Sequence, residues 1–237
     1  MVAELVSDVP SVALAVYAHP DDADVACGGT LALWASKGCA VHLVVCTDGG
    51  RGTVDPLLAP AELAAMRATE LAASAEVVGL ASLRVLGAAD GELDERSGFR
   101  GELVELIRSV RPEVVLGHDP TAIFFGQDYF NHRDHRVAGW TLLDALSPSA
   151  VLPHYYPEAG PPHQVAVALL SATLEPDVWV DITDVVDRKA AAVECHRSQF
   201  AAGEGWAGTV VRHRAEEEGR RAGVPFAEGF RRLRLGG

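Results

Sequence analysis

Four short apolar runs, each followed by a helix-forming stretch, constrain the first 147 residues more than any other feature. Val12–Tyr17, Val41–Cys46, Leu83–Leu86 and Val114–Gly117 are largely apolar segments of four to six residues. Runs this short, without strict alternation, suit strands buried on both faces, as in a parallel sheet. Between them lie a helical stretch from Gly28 to Lys37 with Gly38 as its stop, Ala61–Leu80, and Phe99–Val110 closed by Pro112; Arg133–Leu146 follows the last run. Strand–helix alternation repeated four times predicts a parallel sheet with right-handed crossovers. The expected fold class is α/β, a three-layer Rossmann-like domain with a mainly parallel sheet.

After Ser147 the pattern loosens. Val165–Ala172 and Val178–Ile182 look like strands, and Val185–Phe200 like a helix capped by Thr183 or Asp184. Thr209–Gly223 reads as a charged surface helix and Phe230–Leu235 as a last strand. No repeat or linker breaks the chain, so one domain over residues 1–237 is expected. At 49% hydrophobic and 22% charged, the 237 residues can build a sizeable core. The 20 basic and 33 acidic residues leave a net charge of −13. A field of that sign repels phosphate, which argues against nucleic acid and anionic membranes as partners. No apolar run reaches the roughly 18 residues of a membrane span. Cys27, Cys39, Cys46 and Cys195 form no CxxC pair, and the N-terminus has no basic leader region, so a cytoplasmic protein with reduced thiols is expected.

The chemistry sits in two clusters. Ala18-His19-Pro20-Asp21-Asp22 follows the first run, and Asn131-His132-Arg133-Asp134-His135 follows the fourth. Open parallel sheets bind ligands beyond the carboxyl ends of strands where strand order reverses; in the common doubly wound order the first and fourth strands flank that point. His19 and Asp22 are spaced i, i+3, as are His132 and His135, so each pair can reach one ion. Four ligands would close a tetrahedral site; three would leave a position for water. His19, Asp22 and His135 make a two-histidine, one-carboxylate set that suits catalytic Zn2+ or Fe2+. Asp21 and His132 would then stand beside the metal as base and acid. Taken singly, such an Asp is an ordinary helix cap and such an HxxH an ordinary polar pair. Two carboxylates at a buried strand end without a cation would be costly, which favours the metal.

AHPDD, the Gly28-Gly29-Thr30 that follows, Thr47-Asp48-Gly49 after the second run, and the later HxDH together resemble the PIG-L or LmbE-like family of metal-dependent de-N-acetylases. The resemblance extends to Arg67 and Glu70, to Asp90-Gly91, and to the stretch from Val180 to Gln199. It implies zinc held by His19, Asp22 and His135, Asp21 as general base, and His132 polarising or protonating the tetrahedral intermediate. It further implies Asp134 orienting that histidine, Arg67 and Asp90 contacting sugar hydroxyls, an amino-sugar substrate, and room for a homo-oligomer. Two positions depart from the pattern. Ala23 stands where many members have Glu, and Arg133 where Pro is common. The alternatives are a mycothiol S-conjugate amidase-like enzyme acting on a thiol conjugate, and a non-catalytic Rossmann-like binding module.

Other residues carry weaker expectations. His118 and Asp119 end the fourth run, as supports for the site or as plain loop residues. His154, Tyr155 and Tyr156 look like a rim loop, with Val54–Pro60, Ile123–Asn131 and Leu152–Pro162 expected to set specificity. His196 reads as a late-helix residue favoured by the helix dipole. Cys27 and Cys46 read as small core residues.

Overall fold

The computed structural model describes residues 3–94, 98–200, 203 and 205–236. In chain order its strands are β1 (Glu4–Leu5), β2 (Val12–Tyr17), β3 (Ala40–Thr47), β4 (Ser82–Ala88), β5 (Val114–His118), β6 (Phe124–Phe125), β7 (Tyr129–Phe130), β8 (Val167–Ser171), β9 (Val178–Asp181) and β10 (Ala227–Arg234). Its helices are α1 (Asp22–Ser36), α2 (Pro60–Val78), α3 (Phe99–Val110), α4 (Arg133–Asp144), α5 (Val186–Val193) and α6 (Trp206–Ala222). Among the described residues no helix is long and apolar enough to cross a membrane.

The apolar runs form one side of an eight-stranded sheet of order β1-β9-β10-β8-β5-β2-β3-β4, in which β4 is a partly exposed edge strand rather than one buried on both faces. The stretch β8-β5-β2-β3-β4 is parallel throughout, while β10 runs antiparallel to both β8 and β9. The α/β expectation with a mainly parallel sheet therefore holds. The first and fourth runs are neighbours: β2 pairs with β5 from Ala13↔Val114 to Val16↔Gly117. Strand order reverses there, so the two polar clusters emerge side by side. Alternation along β2 divides the core. Ala13, Ala15 and Tyr17 pack with α1 and α2 residues such as Leu31, Trp34 and Leu71. Leu14 and Val16 pack with Leu103 and Ile107 of α3 and Leu142 of α4 on the opposite face.

Local chemistry moved several boundaries. Helix α1 begins at Asp22, because the Asp21 carbonyl already accepts the Val25 N–H and the two acids of the first turn suit a helix N-terminus. Cys27 (φ −145°) kinks it. The Glu228 carboxylate then accepts the Gly29 and Thr30 N–H groups, capping the second half from β10. Neither Thr183 nor Asp184 caps α5. Asp181 Oδ1 accepts the Thr183 N–H and hydroxyl in a local turn, and Val185 takes the cap position. Helix α5 ends at Val193 rather than Phe200, β10 starts three residues before its expected position, and β1 and the β6–β7 hairpin were not anticipated.

The loop 152–162 lies at the wrong end for a specificity rim. It precedes β8, and His163 Nε2 bonds the Pro112 carbonyl at the amino end of β5. Buried Arg108 ties it down, donating to the carbonyls of Leu152, Tyr155, Tyr156 and Gly160. The parallel strands separate this loop from the polar clusters at their carboxyl ends, so it cannot touch a ligand there.

Two glycines let α4 lie close against β5. A Cβ on Gly117 would stand 2.5 Å from Leu142 Cδ2, and one on Gly139 would stand 2.7 Å from the His118 carbonyl oxygen. The second neighbour is backbone and cannot swing away. Gly139→Ala is expected to cost about 1–3 kcal/mol, typical of overpacking. Thermal melting should show a clear fall in Tm; an unchanged Tm would mean α4 retreats freely.

Candidate active site

The loop after β2 is tied in place before it reaches α1. Thr47 of β3 donates both its N–H and its hydroxyl to the Ala18 carbonyl, and the His19 N–H donates to Asp22 Oδ2 at 2.7 Å. The second cluster arrives at the start of α4. His132 is the helix N-cap, its Nδ1 accepting the Asp134 N–H at 3.2 Å. His135 follows within the first turn.

Three of these side chains converge. His19 Nδ1 lies 3.1 Å from His135 Nε2, and the Asp22 carboxylate lies 3.2 Å from each. The protons of both rings are assigned by their other partners. Asn131 donates its amide to the Ala122 carbonyl, so its Oδ1 faces His135 Nδ1 (2.9 Å) and requires a proton there. His135 Nε2 is left with a lone pair. His19 Nε2 lies 3.2 Å from Asp90 Oδ1 and 3.4 Å from Asp134 Oδ2, in ion-pair reach of both but in hydrogen-bond alignment with neither; a proton on that nitrogen leaves Nδ1 with the lone pair. Two nitrogen lone pairs and a carboxylate thus face one point, His135 fixed from behind as metal ligands usually are. His19, Asp22 and His135 therefore form a group able to hold a metal ion. The surrounding carboxylates favour positive charge at this point, so a cation would compete there with protons. Burial disfavours charge on His19, yet Asp22, Asp134 and Asp90 push its pKa up to about 12. Burial also resists charge on Asp22, but His135 and His19 hold it well below the usual carboxylate range.

A second grouping, His19 with His132 and Asp134, is less apt. His132 Nδ1 already accepts the Asp134 N–H, and the Asp134 oxygens accept the N–H groups of Gly91 (2.7 Å) and Leu93 (3.3 Å). This geometry changes the expected relation between the two residues. Asp134 meets His132 through its backbone, while its carboxylate fixes the Gly91 turn and backs His19. Burial, and then His19, lower the His132 pKa. A neutral ring with Nδ1 committed carries its proton on Nε2, as a neutral donor.

Asp21 lies beside the cluster without joining it. Its Oδ1 accepts from Arg67 Nη2 at 2.6 Å. Burial and then Asp22 raise its pKa, with Arg67 acting in opposition. Arg67, only 3% exposed, also donates to the Gly49 carbonyl. Its two terminal nitrogens thus meet the protein, where sugar hydroxyls were the expectation. Asp90 accepts the Arg51 N–H through Oδ2 and meets His19 through Oδ1; His19 beside it lowers its pKa to about 2.

Several contributors were not legible in the sequence. Asn131 adjoins the HxDH motif, but its two-sided bonding appears only in the fold. His196 is fully buried, with Nε2 2.7 Å from Asp24 Oδ2, and Ser74 donates to the same oxygen. Burial opposes charge on His196, yet Asp24 raises its pKa. Its place is a buried ion pair rather than a helix end. The acid at position 24, in the first turn of α1, was one signal for it. Cys27 and Cys46 are buried, which pushes their thiols up.

A two-histidine, one-carboxylate cluster with a half-buried second carboxylate at its side forms a group able to hold a metal ion, at the switch point where parallel sheets bind ligands. The chain belongs to the PIG-L family, whose model, described as GlcNAc-PI de-N-acetylase, matches residues 14–146. It is 36% identical over 231 residues to the diacetylchitobiose deacetylase of Thermococcus kodakarensis, covering 95% of this chain and 84% of that one. It is 31% identical to a 1D-myo-inositol 2-acetamido-2-deoxy-alpha-D-glucopyranoside deacetylase of Saccharopolyspora erythraea, over 80% of this chain and 84% of that one. Among solved structures, N,N'-diacetylchitobiose deacetylase from Pyrococcus horikoshii superposes with a TM-score of 0.86 at 30% identity, covering 96% of this chain and 88% of the other.

Proposed function

We propose that the chain removes an N-acetyl group from an N-acetylglucosaminyl-type amino sugar, with Zn2+ held by His19, Asp22 and His135. The observation that carries this reading is the convergence of His19 Nδ1, His135 Nε2 and Asp22, with Asn131 bonded to the far nitrogen of His135 and the Asp90 carboxylate facing that of His19. Two imidazoles and one carboxylate leave a coordination position open, the donor set of catalytic zinc; Fe2+ fits the same set. The metal would polarise the amide carbonyl and lower the pKa of water towards 7.

The protein's own groups do the rest. Asp21, held by Arg67 and raised by burial, takes the proton from the attacking water. His132 donates Nε2–H to the oxygen that gains charge as the carbonyl carbon becomes tetrahedral. Asp21 then returns its proton to the departing amine, leaving acetate and a free amino sugar. Arg67 positions the base, and Asp90 and Asp134 orient His19.

The test is acetate release from diacetylchitobiose and N-acetylglucosamine by the purified protein. Chelation should abolish it and Zn2+ should restore it. A zinc-loaded protein that releases no acetate from either substrate would overturn the substrate assignment.

A further inference from the structure

We infer that His118, at the carboxyl end of β5, is the positioning residue that joins the two halves of the proposed metal site and sets its affinity. The inference rests on the assignment of His19, Asp22 and His135 as ligands, and concerns a residue outside that set. His118 is 3% exposed and bridges three elements. Its Nε2 accepts the Ala18 N–H at 3.2 Å, fixing the end of β2 immediately before His19. Its ring stacks flat on that of His135, with centroids 4.2 Å apart and planes 8° apart. Its Nε2 also stands 3.3 Å from Asp22 Oδ2. With the lone pair given to Ala18, that edge offers the carboxylate no hydrogen bond and limits its swing instead.

Behind the ring, Tyr17 packs edge-on at 4.8 Å. The His118 carbonyl is closed in by Gly139 of α4, and the Asp119 N–H is held by the Ser171 carbonyl of β8. The ring has no freedom to drift. One rigid imidazole therefore registers Asp22, carried by α1, against His135, carried by α4. These ligands are 113 positions apart and share no direct covalent constraint. Supports of this kind typically change metal affinity about 10–100-fold when lost.

Two substitutions separate the contacts. His118→Phe keeps a flat ring against His135 and removes the acceptor for Ala18. His118→Gln keeps a polar acceptor and removes the stacking plane. Zn2+ dissociation constants come from chelator competition, and Co2+ absorption spectra report the geometry of the bound ion. Both variants should weaken Zn2+ binding about 10–100-fold and alter the Co2+ visible bands. Should His118→Phe fail to fold, His118→Gln carries the test alone. A folded His118→Gln that binds Zn2+ within threefold of the parent, with an unchanged Co2+ spectrum, overturns the inference. His135→Ala serves as the reference. If it binds Zn2+ as the parent does, the ligand assignment falls, and this inference with it.

Discussion

Replacing His135 with Ala is expected to strip the metal and abolish hydrolysis. The residue supplies the only ligand of the proposed set from the second half of the parallel sheet; His19 comes from the loop after β2 and Asp22 from the start of α1. Without it, one imidazole and one carboxylate remain, too few to hold zinc in a dilute, chelator-treated protein. Loss of a supporting contact typically costs about 10–100-fold in affinity, so loss of a ligand should exceed that range. The fold should survive. His135 lies within the first turn of α4, its side chain caps nothing, and its removal leaves Asn131 Oδ1 without a donor at about 1–3 kcal/mol. Elemental analysis and acetate release decide the matter together. Full zinc occupancy in folded His135→Ala would remove the residue from the ligand set.

Asp21→Asn should leave the metal bound and lower kcat by about 10²–10⁴, the usual range for a lost general base. The amide keeps the shape of the carboxylate, and its oxygen can still accept from Arg67 Nη2, so the positioning contact persists. What disappears is the capacity to take a proton. Arg67 is also left as a buried cation without its counter-charge, so a moderate loss of stability should accompany the kinetic effect. Zinc content separates this variant from His135→Ala: one keeps the ion and loses the proton acceptor, the other loses the ion. Activity within a few-fold of the parent would show that another group accepts the proton.

Much of this protein was legible in its sequence because the signals are local. Apolar runs dictate strands, three of them buried and the Arg84-containing one at the sheet edge, and their alternation with helices dictates a parallel sheet. Parallel order in turn places the carboxyl ends of β2 and β5 together, which is why AHPDD and HRDH could be assigned to one crevice. Hydrogen bonds and packing across long separations were not legible. Nothing near Asn131 shows that its amide is anchored on Ala122 and so orients His135. Nothing near Arg67 shows that its guanidinium meets Asp21, nor near His118 that its ring stacks on His135.

The loop 152–162 shows the same limit. Its histidine and tyrosines look like a binding rim, yet the direction of β8 puts them at the opposite pole, held by Arg108. The sequence by itself determined the layers, the strand order around the switch point, and the residue types that gather there. Only the tertiary structure decided which nitrogens of His19 and His135 face Asp22, that Asp21 meets Arg67, and which end of the sheet each loop occupies. These depend on contacts that side chains make in the fold, such as Arg67 with Asp21 and His19 with Asp90, which local propensity does not encode.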